Sequence, residues 1–215
     1  MSSVLPRAPS IQGLGRKHGR IGLLGGSFNP AHEGHLHISL AALRLLKLDA
    51  VWWLISPQNP LKSADGMAPL AARKATAAAV ARHPRIHTTD IEQSLRSRYT
   101  ADTLAKLKAR FPSVRFVWLM GADNLIQLPH WARWQEIAAS VPIAVFGRPA
   151  YSTRAMQGKA TLRYARNRVS GMNAGRLAYR APPAWSFFPI RSHNASSTAL
   201  REAGQIAALP GGSRQ

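Results

Sequence analysis

Short, continuously apolar runs alternate along the chain with longer stretches whose apolar residues recur at helical spacing. Residues 21–24 form one such run, end in Gly25-Gly26, and predict a buried strand leading into a turn. Leu36, Leu40, Leu43 and Leu46 recur at helical intervals within 35–48, so a helix follows that turn. Residues 51–55 predict the next strand, closed by Pro57, with Pro60 continuing a loop. The Ala-rich stretch 70–82, bounded by Pro69 and Pro84, reads as a helix and 86–88 as a short strand. A helix over 100–111 takes Thr100 as its N-cap. Residues 114–120 form the clearest central strand and end at Gly121. A helix over 134–140, a strand over 142–146 ending at Gly147, and a last strand over 185–188 complete the series, before a last helix over 198–208 capped by Ser196 or Ser197. Strand and helix alternating through short links mean βαβ units, hence an α/β fold on a parallel sheet. Only 151–183 breaks the rhythm. It is basic, Gly-containing and weakly periodic, and is expected to be an insertion or loop within one domain spanning 20–215.

Composition narrows this picture. A chain of 215 residues is long enough for a sizeable core, and 46% hydrophobic with 18% charged residues is not a disordered composition. The absence of cysteine excludes disulfides and thiolate metal sites, and is compatible with a reducing, cytoplasmic compartment. No apolar run approaches the roughly 20 residues of a spanning helix. Residues 1–20 lack the apolar core of a secretory signal, and 1–19 read as a flexible basic tail. Against 9 acidic residues stand 29 Lys and Arg, a formal charge of +20 that favours polyanionic partners: nucleic acid, an anionic membrane surface or phosphorylated substrates. Between 137 and 201 there are ten basic residues and no acidic one.

Chemistry concentrates in Gly25-Gly26-Ser27-Phe28-Asn29-Pro30-Ala31-His32-Glu33-Gly34-His35. Two glycines at a strand end let the backbone turn sharply and approach a ligand. The helix that follows offers free N–H groups, an anion site, and two histidines stand at its entrance as donors to phosphate oxygens. A zinc site is the weaker reading: the two histidines are three apart rather than four, and only His37 offers itself as a third ligand. The stretch is neither a G-x-G-x-x-G motif nor a P-loop. Ser196-Ser197-Thr198-Ala199-Leu200-Arg201 opens the last helix with hydroxyls, N–H groups and an Arg one turn in. Alone it reads as a cap, and beside the first cluster as a second phosphate cradle.

Taken together these residues resemble a known family. Gly25 to His35 matches the signature of the nucleotidyltransferase superfamily with its HxGH motif, and Ser196 to Arg201 its SSTxxR motif. Ser56-Pro57-Gln58-Asn59-Pro60-Leu61-Lys62, Arg98-Tyr99-Thr100-Ala101-Asp102-Thr103-Leu104, Gly121-Ala122-Asp123-Asn124-Leu125 and Leu128-Pro129-His130-Trp131 are similar to the bacterial nicotinate-mononucleotide adenylyltransferase family in particular. The resemblance implies a Rossmann-like sheet flanked by helices. It also implies transfer of the adenylyl group of ATP to nicotinate mononucleotide, with Mg²⁺ held mainly by ATP oxygens and water. In the roles so implied, His32, His35 and Arg201 act on the ATP phosphates, and Gly25, Gly26, Ser27, Phe28, Asp123, Ser197 and Thr198 hold ATP. Asn59, Lys62, Thr100, Ala101, Trp131, Ala132 and Arg148 receive the mononucleotide, with Trp131 stacked on its pyridine ring. Taken singly, Trp131 reads as core, Thr100 as a cap and Arg73 as part of a solvated helix face. Two departures stand out. Asn29 occupies a position where Asp is commoner, removing a charge near the phosphates, and Ala195 one where Ile is usual.

Three alternatives are weighed against that expectation. A phosphopantetheine adenylyltransferase usually has Thr at the position of His32. A class I aminoacyl-tRNA synthetase is longer and carries a KMSKS motif. A non-catalytic basic RNA-binding protein fits the charge, but no RNP, KH or zinc-finger pattern supports it, so weak, salt-sensitive nucleic-acid binding is kept as a side property.

Overall fold

The structure is a computed structural model that describes residues 19–57, 66–147 and 149–190. Its strands are β1 (Arg20–Gly26), β2 (Ala50–Ile55), β3 (Ile86–Thr89), β4 (Arg115–Gly121), β5 (Ile143–Gly147) and β6 (Trp185–Pro189). They form one sheet in the order β3-β2-β1-β4-β5-β6, and every adjacent pair is parallel. The helices between them are α1 (Glu33–Leu45), α2 (Leu70–Val80), α3 (Ile91–Ser94), α4 (Thr100–Arg110), α5 (Ala122–Gln127), α6 (Trp134–Ser140), α7 (Pro149–Met156) and α8 (Lys159–Arg163). Strands buried on both faces read as unbroken apolar runs, which is why they were legible without alternation.

Each face of the sheet carries its own core. Trp52 belongs to one, with Phe116, Trp118, Leu104 and Ile137; Trp53, its neighbour in sequence, belongs to the other, with Leu24, Phe28, Leu43 and Phe146. Successive strand residues point to opposite faces, so this Trp-Trp pair anchors both layers at once. The buried Trp53 indole N–H donates to Ser39 Oγ at 2.7 Å, and Ser39 donates to the His35 carbonyl at 2.8 Å. That pair of bonds, worth on the order of 1 kcal/mol each, sets α1 on β2 in a fixed rotation.

Two expectations are corrected. Thr100 is the first residue of α4 rather than its cap; Tyr99, in extended backbone, holds the cap position without a side-chain bond. Residues 151–183 are not an irregular loop. They fold into α7, α8 and 3₁₀ turns at Ala165–Asn167 and Gly171–Tyr179, forming the crossover from β5 to β6. Ala155, Ala160, Ala174, Leu177 and Ala178 are buried there. Apolar contact made chiefly through alanines, in helical pieces of three to nine residues, leaves little periodicity to read. Trp185 Nε1 donates to the Tyr164 carbonyl and Ser186 Oγ to that of Val169, so β6 is tied to this crossover. Gly19 is already buried and its carbonyl accepts from Arg115 N, so the fold includes it. Among the described residues no helix is long and apolar enough to cross a membrane.

In a sheet of this order the connections leave β1 and β4 in opposite directions. A crevice therefore opens at their carboxyl ends, where open α/β sheets bind ligands.

Candidate functional site

The chain leaves β1 at Gly26 and enters α1 at Glu33, with His32 as N-cap. His32 Nδ1 accepts from Gly34 N at 3.1 Å, and His35 Nδ1 accepts from His32 N at 3.2 Å, a reciprocal capping box made by two imidazoles. A ring nitrogen that accepts a backbone N–H carries no proton, so both rings are held as the tautomer protonated at Nε2. Protonating either Nδ1 would set two N–H groups against each other. The ring centroids lie 3.9 Å apart. The result is a pair of neutral, oriented N–H donors beside the helix N-terminus, added to its backbone donors. Glu33, the acid of that first turn, is engaged by Arg82.

The glycines serve the protein as much as a ligand. A Cβ at Gly25 would lie 2.5 Å from Trp118 Cη2, so Gly25 is what lets the Trp118 ring cross the end of β1. Phe28 stands in left-handed backbone (φ 47°), which costs roughly 1–2 kcal/mol for a residue with a side chain. Its ring is 1% exposed, stacked on Trp53 at 5.1 Å and packed 4.7 Å from His35. Phe28 thus supports His35 from below, and only its backbone is available to a nucleotide.

Arg73, by sequence a residue of a solvated helix face, is buried instead. It is 2% exposed. Its Nη1 donates to the carbonyls of Ser27 (2.6 Å) and Ser56 (2.8 Å), Nη2 to that of Pro57 (2.9 Å), and Nε to that of Ala68 (2.9 Å). Burial pushes its pKa below the usual arginine value. Asn29 lies in the same seam: Nδ2 donates to the Gly66 carbonyl at 3.0 Å, and Oδ1 accepts from Ala68 N at 3.2 Å. The signal for Arg73 was present, since Leu70, Arg73, Ala77 and Val80 form an i, i+3, i+7, i+10 stripe that faces the core.

At the end of β4, any Cβ at Gly121 would collide with Asp123 Oδ1, so the glycine makes room for that carboxylate at the mouth of the crevice. Thr100 and Ala101 open α4, and Trp131 and Ala132 precede α6. An ion pair from Arg133 to Asp102 binds these two stretches together. Trp131 is half-buried and meets Trp118 edge-to-face at 6.4 Å, while Ala132 is exposed and Ala101 buried. Beneath them Glu92 accepts from Thr103 Oγ1 at 3.1 Å and from the Ser56 hydroxyl, with burial the main influence and pushing its carboxyl pKa up. Asn59, Lys62, Arg148, Ser197, Thr198 and Arg201 lie outside the described residues. Among the described residues no group of three or more His, Asp or Glu is placed to hold a metal ion.

Comparison with known proteins gives concordant results. The family model described as cytidylyltransferase-like matches residues 23–203. The curated protein "Probable nicotinate-nucleotide adenylyltransferase" of Parvibaculum lavamentivorans is 54% identical over 185 residues, covering 86% of this chain and 92% of that one. The protein of the same name from Cereibacter sphaeroides (strain ATCC 17025) is 54% identical over 185 residues, 86% of this chain and 98% of that one. Among solved structures, Plasmodium falciparum nicotinic acid mononucleotide adenylyltransferase complexed with NaAD superposes with a TM-score of 0.62 at 16% identity, covering 86% and 83% of the two chains. At that identity the likeness concerns the fold.

Proposed function

The chain belongs to the cytidylyltransferase-like family, and from that premise we propose that it transfers the adenylyl group of ATP to nicotinate mononucleotide, a step of NAD biosynthesis. A phosphate oxygen of the mononucleotide attacks Pα of ATP, the bond from Pα to the bridging oxygen of Pβ breaks, and pyrophosphate leaves with that oxygen. The product is nicotinate adenine dinucleotide. The observation that carries this reading is the imidazole capping box at the crevice between β1 and β4. It offers fixed N–H donors where charge gathers on the phosphates, and no nucleophile is needed for a direct transfer. Catalysis of this kind is positioning plus stabilisation of developing charge. The names of relatives at 54% identity support nicotinate mononucleotide as acceptor.

In this reading His32 and His35 donate through Nε2 to the ATP phosphates, and the turn at Gly25, Gly26, Ser27 and Phe28 lies along the nucleotide with its backbone. Asp123 receives a ribose hydroxyl, and Arg201 with Ser197 and Thr198 holds the triphosphate. Thr100, Ala101, Trp131, Ala132, Asn59, Lys62 and Arg148 receive the mononucleotide. Magnesium enters as part of the substrate MgATP; a donor set of N–H groups suits phosphate oxygens and leaves the metal to the nucleotide and water. Action in the cytoplasm, in a single domain that takes in Gly19 behind a basic tail, belongs to the same reading.

A subsidiary property is weak, salt-sensitive binding of nucleic acid. Lys108, Arg115 and Arg180 line a cleft of about 380 Å³ at the amino ends of the strands, and no acidic residue lines it. The main reading is tested by incubating the protein with MgATP and nicotinate mononucleotide. Dinucleotide and pyrophosphate are expected in equal amounts; pyrophosphate without dinucleotide would contradict it.

A further inference from the structure

We propose that Arg73 is a positioning residue for the transfer, fixing the turn after β1 against the end of β2 so that donor and acceptor phosphates meet in line. The inference rests on the proposed function. Its grounds are the four carbonyl bonds of a side chain that is 2% exposed.

The partners belong to three separate stretches. Ser27 lies in the turn that leads to His32 and His35, Ser56 and Pro57 continue β2 beyond its carboxyl end, and Ala68 precedes α2. No ion pair to Arg73 is formed among the described residues. A buried cation that is matched only by carbonyl dipoles is a costly way to hold a loop. What it supplies is geometry. Guanidinium alone carries five donors in one rigid plane, so a single group can span Ser27, Ser56, Pro57 and Ala68 at once; a lysine ammonium, with three donors, or a glutamine amide, with two, cannot.

Asn29 repeats the tie from the other side. Its amide spans Gly66 and Ala68, so the segment before α2 is bonded to both Asn29 and Arg73. A carboxylate at position 29 would keep the bond from Ala68 N and lose the one to the Gly66 carbonyl. On the far side, Ser56, whose carbonyl accepts from Arg73, donates its hydroxyl to Glu92, which also accepts from Thr103 of α4. Arg73 therefore stands between the wall that holds the ATP phosphates and the wall that leads to Thr100 and Ala101. Loosening it leaves each substrate its own half of the site and disturbs their mutual alignment. Ångström-scale misplacement costs up to about 100-fold in rate.

The test is steady-state kinetics of the full chain, Arg73→Lys, Arg73→Gln and Asn29→Ala, with ATP and nicotinate mononucleotide, well below each melting temperature and with circular dichroism on every sample. The expected result for both Arg73 variants is a kcat lower by about 10- to 100-fold, with both KM values within about threefold of the parent. The lysine, although it keeps the charge, does not rescue. For Asn29→Ala, which keeps Arg73 in place, a kcat loss of about three- to tenfold is expected. If the Arg73 variants do not fold, Asn29→Ala alone decides. Folded variants with the parent kcat, or with raised KM at the parent kcat, overturn the positioning role and leave the proposed function intact. An inactive parent protein overturns both.

Discussion

The two ends of the sheet differ in how they present positive charge. At the carboxyl ends of the strands the donors are backbone N–H groups, two neutral imidazoles and a buried guanidinium bonded to carbonyls. At the amino ends they are exposed side chains: Lys108, Arg115 and Arg180 line one cleft, Arg176 and Arg180 another with Tyr179, and the Arg115 guanidinium lies 4.8 Å from the Tyr179 ring centre. A net charge of +20 draws attention to the second end. The fold draws it to the first, where the strand order reverses and the glycine turn and α1 begin. Counting charges locates a polyanion-attracting surface; it does not locate preorganised donors, which are fixed by capping and packing and cost little to orient when phosphate arrives.

The contrast can be broken most severely at His35. His35→Ala removes one oriented donor and should lower kcat by about 10²–10³ while circular dichroism stays that of the parent. A near-parental turnover would remove the imidazole pair from the mechanism. Trp131→Ala should act next, raising KM for the mononucleotide about tenfold, as lost stacking on one ring predicts, with kcat nearly constant. An unchanged KM would return Trp131 to the packing against Trp118.

A third substitution set sharpens the comparison from the other end. Arg115→Gln, Arg176→Gln and Arg180→Gln together should leave adenylyl transfer within about twofold of the parent. Their effect belongs in the salt dependence of binding to a labelled single-stranded oligonucleotide, whose log–log slope should fall by about 2. A loss of transfer activity in the triple variant would merge the two ends that the structure separates. The smallest effect concerns Glu92. Burial raises its carboxyl pKa in the folded state, so its contribution to stability is fullest below the ordinary carboxylate value and is lost as pH rises through the raised one. Glu92→Gln should therefore gain in melting temperature on the parent as pH goes from about 4 to 7. A constant difference across that range would contradict the buried-carboxylate account.

Much of this arrangement is legible before any coordinates. Buried parallel strands are unbroken apolar runs, so 21–24 and 51–55 lie within β1 and β2, and 114–120 overlaps β4 in all but Val114. The glycines and histidines at 25–35 mark a strand end and a helix entrance by type and spacing alone. Capping is harder: Thr100 is a good cap by residue type, but backbone geometry gives the place to Tyr99. The crossover after β5 escapes because alanines bury little surface and leave weak periodicity. Arg73 escapes for a different reason. A charged residue on an Ala-rich helix defaults to solvent, and only the meeting of two loops in space supplies the carbonyls that allow it to be buried. Asn29, by sequence a missing charge, ties the turn after β1 to the segment before α2.

The most direct test of the account compares kcat/KM for pyrophosphate release with MgATP and each of three acceptors: nicotinate mononucleotide, nicotinamide mononucleotide and phosphopantetheine. Strong preference for nicotinate mononucleotide is the predicted result. Turnover of phosphopantetheine alone would contradict the acceptor pocket assigned to Thr100 and Trp131, and no turnover with any of the three would contradict catalysis at the carboxyl ends of the strands.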